Sequence, residues 1–333
     1  MIRLVLLTDG TGQDGNADKT NVAQLCDYLE NGENDQHCTY HVGVGTNLGE
    51  EVAGGVAGYL LGKVVAEQYS WLSRAAASLR LTVKDDFEVE LFGFSRGAFI
   101  SRLLADLIDR CGIPKIPDDA TTLVNLYEEK AWDKMVALTS ARPNDFLKTR
   151  IGFLGCWDTV VTAAGYDGAD YVNLPVNVVA AAHAVAINES RPKFNYTKME
   201  LRDGVVEEFF AGCHSDVGGG YGEKQVLSRL AFEWMIERAE EAGVLFKSKP
   251  DPISPDEYAN AEPHSEHKSP SNLFGKLGFL AREIDQDRIN QSVAILGWNL
   301  FNDDGTPIDS EKMVAMVKGH AFDVGRPDGT MIA

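Results

Sequence analysis

The sequence predicts an α/β fold, a mainly parallel, doubly wound sheet with helical insertions, and three observations carry that prediction. Apolar strand-like runs alternate with helical stretches through the first two thirds of the chain. The segment Gly93-Phe94-Ser95-Arg96-Gly97 joins one such run to a helical stripe, a setting that exposes a serine on a sharp strand-to-helix turn. Two later apolar runs deliver Asp158 and His214 at their ends, where the ligands and catalytic groups of doubly wound sheets collect.

Residues 2–7 read as a buried strand that ends in the turn Asp9-Gly10-Thr11-Gly12. Thr20-Asn21 caps an amphipathic helix to about Leu29, and 38–44 is the second strand. Gly54, Gly58 and Gly62 recur every four residues and give a helix within 51–80 a smooth face for packing on the sheet; Lys63, Glu67 and Gln68 argue against a membrane dimerisation face. In the strand 87–92 apolar and acidic residues alternate before the serine turn. Phe99, Ile100, Leu103, Leu104, Leu107 and Ile108 then form a helical stripe that stops before Gly112 and Pro114. Residues 114–149 read as helices capping the site, and 151–156 as a strand. The run 178–187 reads as an apolar helix, with His183 as a satisfied core histidine. Residues 207–211 read as the second arm of a hairpin begun at 194–201 and turned at Asp203-Gly204, and 224–242 as a helix. The expected organisation is a core over 1–246, a Pro-, Ser- and Glu-rich surface loop over 247–272, and a segment 273–333 that packs back on the core through Leu277, Phe279, Val293, Leu296 and Trp298.

A chain of 333 residues with 44% hydrophobic and 24% charged residues has room for one large α/β domain. A net charge of −19 argues against sequence-independent binding to nucleic acid or to an anionic membrane surface. The five cysteines are odd in number and without metal spacing, so they read as reduced thiols of a cytosolic fold. The first residues lack a signal-peptide core and no stretch is long enough to span a membrane, so synthesis as a cytoplasmic protein is expected, with export only by a signal-independent route. No cofactor is expected. No G-x-x-x-x-G-K-[ST] loop is present, and Gly43-Val44-Gly45 lacks the third glycine of a dinucleotide site.

A serine needs a base to become a nucleophile, and the base needs an orienting acid. The order Ser95, Asp158, His214 matches the nucleophile–acid–base order of α/β hydrolases, so the fold class becomes α/β-hydrolase-like. Asp216, two residues after His214, is the alternative acid. The Asp9-Gly10-Thr11 turn and the Arg96 N–H are the expected oxyanion donors. A rival constellation, Asp9, Asp158, His214 and Asp216 around a divalent metal, would hydrolyse phosphoesters; it leaves the Ser95 turn without a purpose and ranks second. A third reading keeps the fold as a binding module without activity. His264 and His267 read as solvated loop residues, and His320 as a fallback base.

Several motifs together resemble a family of α/β hydrolases that includes the catalytic domains of phospholipase effectors of bacterial type VI secretion. They are Asp9-Gly10-Thr11-Gly12, Thr20-Asn21-Val22, Gly43-Val44-Gly45-Thr46, the runs 91–99 and 153–160, HAVAINESR at 183–191 and FFAGCHSDVGGGY at 209–221. They occur in the family's order over about residues 1–243, with a weaker match at 288–293. The resemblance implies a serine esterase or lipase, with phospholipid acyl esters among the substrates. It carries over Ser95 as nucleophile, His214 as base, Asp158 or Asp216 as acid, and the turn from Asp9 to Thr11 near the oxyanion. The implied partner is an ester or lipid small molecule, with no nucleic acid; the protein partner is left open. Two departures stand out. The chain ends shortly after the hydrolase core, without the extra docking regions usual in the effectors, and Asn290 stands where related sequences often have histidine.

Overall fold

The computed structural model describes residues 1–10, 19–32, 35–43, 54–161, 166, 171–189, 191, 194–222 and 226–251, together with 253, 261, 264, 282 and 288–290. Its centre is a six-stranded sheet made of β1 (Ile2–Thr8), β2 (Gln36–His41), β3 (Phe87–Phe94), β6 (Arg150–Trp157), β7 (Val178–Ala186) and β8 (Val205–Phe210), in the order β2-β1-β3-β6-β7-β8. Every neighbouring pair in it is parallel. A small antiparallel pair, β4 (Ile113–Pro114) and β5 (Phe146–Leu147), lies outside it. The helices are α1 (Asn21–Tyr28), α2 (Gly54–Ser78), α3 (Arg96–Cys111), α4 (Pro117–Glu128), α5 (Trp132–Ala141), α6 (His214–Gly218) and α7 (Val226–Glu241).

Parallel strands need crossovers, and the crossovers cover both faces. Leu4, Leu6, Val89, Leu91, Ile151 and Leu154 pack with α2, α3 and α4 in one apolar cluster. Val5, Leu7, Phe92, Phe94, Phe153 and Trp157 pack with α1 and α7 in another. The period of two that separates these sets is that of a strand buried on both sides. Each fully buried leucine or phenylalanine contributes roughly 1.5–3 kcal/mol, so the two layers together hold the sheet.

The chain leaves β1 for β2 on one side and then crosses to β3 on the other. The carboxyl ends of β1 and β3 therefore flank the topological switch point, where open α/β sheets place their sites. This architecture is that of an α/β hydrolase. Among the described residues no helix is long and apolar enough to cross a membrane.

Several local expectations are corrected. Residues 178–186 form β7, not a helix: buried on both faces, the run loses its alternation, and length alone did not distinguish the two. Residues 194–201 form no hairpin arm. Arg102 donates to the carbonyls of Tyr171, Thr197 and Lys198 and pins that segment, while β8 pairs in parallel with β7. Gly62 faces the Glu128 carboxylate of α4, not the sheet, because α4 packs directly on α2. Within 114–149, α4 and α5 make their main contacts with each other and with α2 and α3, thickening one face of the sheet. His264 is no free solvated residue: it bonds Asp216 and stacks on Tyr221. The tail expectations at Leu277, Phe279, Val293, Leu296 and Trp298, and those for Thr11, His267 and His320, lie outside the described residues. Described tail positions do meet the core: Ile289 bridges β8 at Phe209, Arg288 and Asn290 bond Glu207 and Glu208 on the same strand, and Arg282 reaches the end of β6.

Candidate active site

The serine turn follows from its glycines. A β-carbon on Gly93 would collide with the backbone at Gly97, and one on Gly97 with the carbonyl of Thr8, so only glycine lets the chain reverse this tightly against β1. Ser95 is left at φ 58° and ψ −124°, a conformation non-glycine residues rarely adopt. Its N–H donates to the Trp157 carbonyl at 2.9 Å, which ties the turn to the end of β6.

Asp158 follows β6, also with positive φ (41°), and is fully buried. His214 opens α6. A capping box between Cys213 and Asp216 starts this short helix and fixes the direction of the His214 side chain. The three side chains form one hydrogen-bonded line. The Ser95 hydroxyl donates to His214 Nε2 at 2.8 Å, and His214 Nδ1–H donates to Asp158 Oδ2 at 2.6 Å. The carboxylate accepts only, so it fixes the tautomer that leaves Nε2 free to receive the serine proton.

Burial alone raises the pKa of Asp158, but the charges and hydrogen bonds of Arg282 and His214 outweigh it and hold the carboxyl below its usual range. Arg282 donates to both carboxylate oxygens, at 2.6 and 3.0 Å, and the Ala186 N–H donates to Oδ1 at 2.9 Å. Sequence reading missed Arg282. It lies 124 residues from Asp158, in a stretch with no periodic or motif signal.

The imidazole of His214 sits between two rings. Phe94 lies 4.5 Å from it, centroid to centroid, and Phe194 meets it edge-on at 5.0 Å. Phe94 is itself packed against Gly10 and Gly218, neither of which leaves space for a side chain. The His214 N–H donates to Glu189, whose carboxylate is held by Arg191.

The remaining expected site residues are placed differently. Asp216 accepts from the Cys213 N–H at 2.9 Å and from His264, so it supports α6 and stands outside the Ser95–His214–Asp158 line. Asp9 accepts from the hydroxyls of Thr20 and Tyr40 at 2.5 and 2.8 Å. Burial raises its pKa despite those bonds. Its Oδ1 also takes the Gly10 N–H at 2.6 Å, so that amide is engaged by its neighbour, although Gly10 packs against Ser95. The Arg96 N–H, at the first position of α3, has no acceptor within the helix. The Arg96 guanidinium is half-buried, and burial lowers its pKa, with no carboxylate among the described residues to offset it. Asn290 donates to Glu208 at 2.6 Å on the edge of β8, while the imidazole next to the Ser95 hydroxyl, at 2.8 Å, is that of His214. Asp9, Asp158, His214 and Asp216 do not converge, and among the described residues no three His, Cys, Asp or Glu side chains are grouped to hold a metal.

Comparison with known proteins agrees with this arrangement of strands. The catalytic-domain model of Tle1-like phospholipase effectors of the type VI secretion system matches residues 2–238. An uncharacterised protein of Saccharomyces cerevisiae is 29% identical over 216 residues, which is 57% of this chain and 32% of the yeast protein. The structure of an uncharacterised protein from Pseudomonas aeruginosa aligns with a TM-score of 0.51 at 18% identity, covering 74% of this chain and 46% of that one. A Tle1 effector solved on the VgrG spike aligns with a TM-score of 0.43 at 18% identity, covering 67% and 51%. The chain thus spans about a third of the yeast relative and about half of each of these two structures.

Proposed function

The chain belongs to the family of Tle1-like phospholipase effector catalytic domains, and on that premise we propose that it hydrolyses carboxylic esters of lipids with Ser95 as nucleophile. The observation that carries the reading is the hydrogen-bonded line Ser95–His214–Asp158, set on a strained turn at the switch point of the sheet. Ser95 Oγ attacks the acyl carbonyl as His214 Nε2 takes its proton, and Asp158 stabilises the resulting imidazolium. The Arg96 N–H at the start of α3 faces the developing oxyanion. His214 then returns the proton to the departing alcohol, leaving an acyl-Ser95. Water, deprotonated by the same imidazole, cleaves that ester, releases the acid and restores the serine.

A phospholipid is the favoured substrate within this reading. Besides the family, the half-buried, uncompensated guanidinium of Arg96, one residue after the nucleophile, supports it as a charge that a phosphate group can match. The metal-dependent alternative finds no support in the geometry, since Asp9 bonds Thr20 and Tyr40, Asp216 bonds the Cys213 N–H and His264, and only Asp158 and His214 meet.

Fluorophosphonate labelling read by intact mass tests the mechanism. Wild-type protein is expected to gain one adduct, and the Ser95→Ala variant none. Folded wild-type protein that takes up no adduct would remove the serine mechanism.

A further inference from the structure

We infer that Arg282 is a positioning residue of this site, acting through Asp158, so that the C-terminal part of the chain completes the Ser95–His214–Asp158 line. The inference rests on the serine mechanism proposed above. Asp158 is enclosed, and a carboxylate alone in such a place would be driven to protonate. Four N–H groups prevent that. Ala186 N–H and Arg282 Nη1 fill Oδ1, while Arg282 Nη2 and His214 Nδ1 share Oδ2. With Oδ1 occupied, the remaining lone pair of Oδ2 faces the imidazole.

The same guanidinium donates to the carbonyls of Ala186 and Phe194. It therefore links the ends of β6 and β7 to the segment whose Phe194 ring edges His214. Arg282 is itself buried, and among the described residues its Nε has no partner. A buried ion pair with one N–H unbonded is a poor source of stability. Its clear effect is geometric and electrostatic: it fixes the acid's rotamer and balances its charge.

A signature follows that a purely structural role would not produce. His214 is flanked by two ion pairs, Asp158 with Arg282 and Glu189 with Arg191. Removing Arg282 leaves one of these carboxylates uncompensated. Asp158, whose carboxyl Arg282 holds down, then takes up a proton at higher pH. The acid limb of the pH–rate profile moves toward neutral pH by about one unit.

The experiment compares wild type, Arg282→Met and Arg282→Lys, each checked for folding by circular dichroism. It reads kcat and KM on a neutral short-chain nitrophenyl ester across pH, and the rate of fluorophosphonate labelling at Ser95. Arg282→Met is expected to lose on the order of 10–100-fold in kcat and labelling rate, a fraction of what losing the acid itself costs, with KM little changed. Its acid limb should shift upward. Arg282→Lys, which keeps the charge but not the two-pronged grip, should restore the limb and only part of the rate. Wild-type labelling rate and an unmoved limb in Arg282→Met would overturn the inference. If the methionine variant does not fold, the lysine variant decides: slower labelling supports the inference, and the wild-type rate overturns it. Wild-type protein that takes no label at all would instead strike the serine mechanism on which this inference stands.

Discussion

Two histidine–carboxylate pairs lie a few residues apart in this fold, and they differ in what the far side of each imidazole meets. His214 donates from Nδ1 to Asp158 at 2.6 Å, and His183 donates from Nδ1 to Glu207 at 2.8 Å. Both carboxylates also receive an arginine from the C-terminal part of the chain, Arg282 on Asp158 and Arg288 on Glu207. The contrast lies at Nε2. In the outer pair it accepts from the Ser95 hydroxyl at 2.8 Å; in the inner pair it accepts from the Thr159 backbone N–H at 3.0 Å. A hydroxyl poised on an imidazole can surrender its proton to it, whereas a peptide N–H keeps its own at any physiological pH. The inner pair is therefore a structural strut. It joins β7 to β8, where His183 and Glu207 are register partners, and holds the backbone that follows Asp158. A histidine and a carboxylate in contact do not make a catalytic pair; the third group decides.

The largest effect that would sharpen this contrast is expected from the outer pair. His214→Ala should lower the rate of Ser95 labelling by on the order of 10⁴–10⁶-fold, and Asp158→Asn by about 10⁴-fold, since the amide supports the wrong tautomer. Both variants should stay folded, with near-native circular dichroism. An Asp158→Asn variant labelled at the wild-type rate would break the comparison and return the acid's role to Asp216.

The inner pair should show the reverse. His183→Ala takes one hydrogen-bond partner from the buried Glu207 carboxylate, which keeps Arg288 and the Met199 N–H, and such a loss costs about 1–3 kcal/mol. Labelling at temperatures where the variant is folded should fall by less than about tenfold, because Ser95, His214 and Asp158 remain in contact. Chemical denaturation and labelling on the same sample separate the two effects. A variant with wild-type stability but no labelling would place His183 in the chemistry.

How much of this was legible in the sequence follows from the same distinction. The Ser95 turn could be read because sterics demand glycine at 93 and 97, and sterics leave a mark in the sequence. Asp158 and His214 could be read as polar residues delivered by apolar runs. Which carboxylate bonds the His214 ring could not, because Asp158 and Asp216 both read as strand-end acids; a capping box, which depends on α6 forming there, engages Asp216 with Cys213. That the Asp9 side chain turns back on the Gly10 amide could not be read, because a local side-chain bond of this kind leaves no pattern in the sequence. The run 178–187 hid its state because a strand buried on both faces has no alternation to show. The contacts of Arg282 and Arg288 with Asp158 and Glu207 were invisible, although Arg288 opens the weak tail motif. Their partners lie more than 80 positions away, and a lone arginine in a tail carries no period.

The smallest expected effect is a pH slope, and it separates the inner pair from a third buried group. Burial is the main cause that lowers the pKa of His183 from its ordinary 6.5. The unfolded chain thus binds more protons just below that value. The contribution to stability is complete above pH 6.5 and is lost as pH falls through it, by at most ~1.4 kcal/mol per pH unit for one group. Glu90 on β3 acts in the opposite sense. Burial first, and Glu88 second, push its carboxyl from 4.5 up to about 8, so the folded state binds the extra proton and stability declines as pH rises between those values. Arg3, 3.6 Å away, offsets only part of this. Below pH 6.5 the two slopes oppose each other; above it only that of Glu90 remains. In a Glu90→Gln background the decline above pH 6.5 should vanish, and the loss of stability on acidification should steepen. Adding His183→Ala should flatten that acid-side slope. A slope unchanged by His183→Ala would mean that His183 is protonated in the folded protein, and the inner pair would then no longer be the neutral counterpart of the outer one.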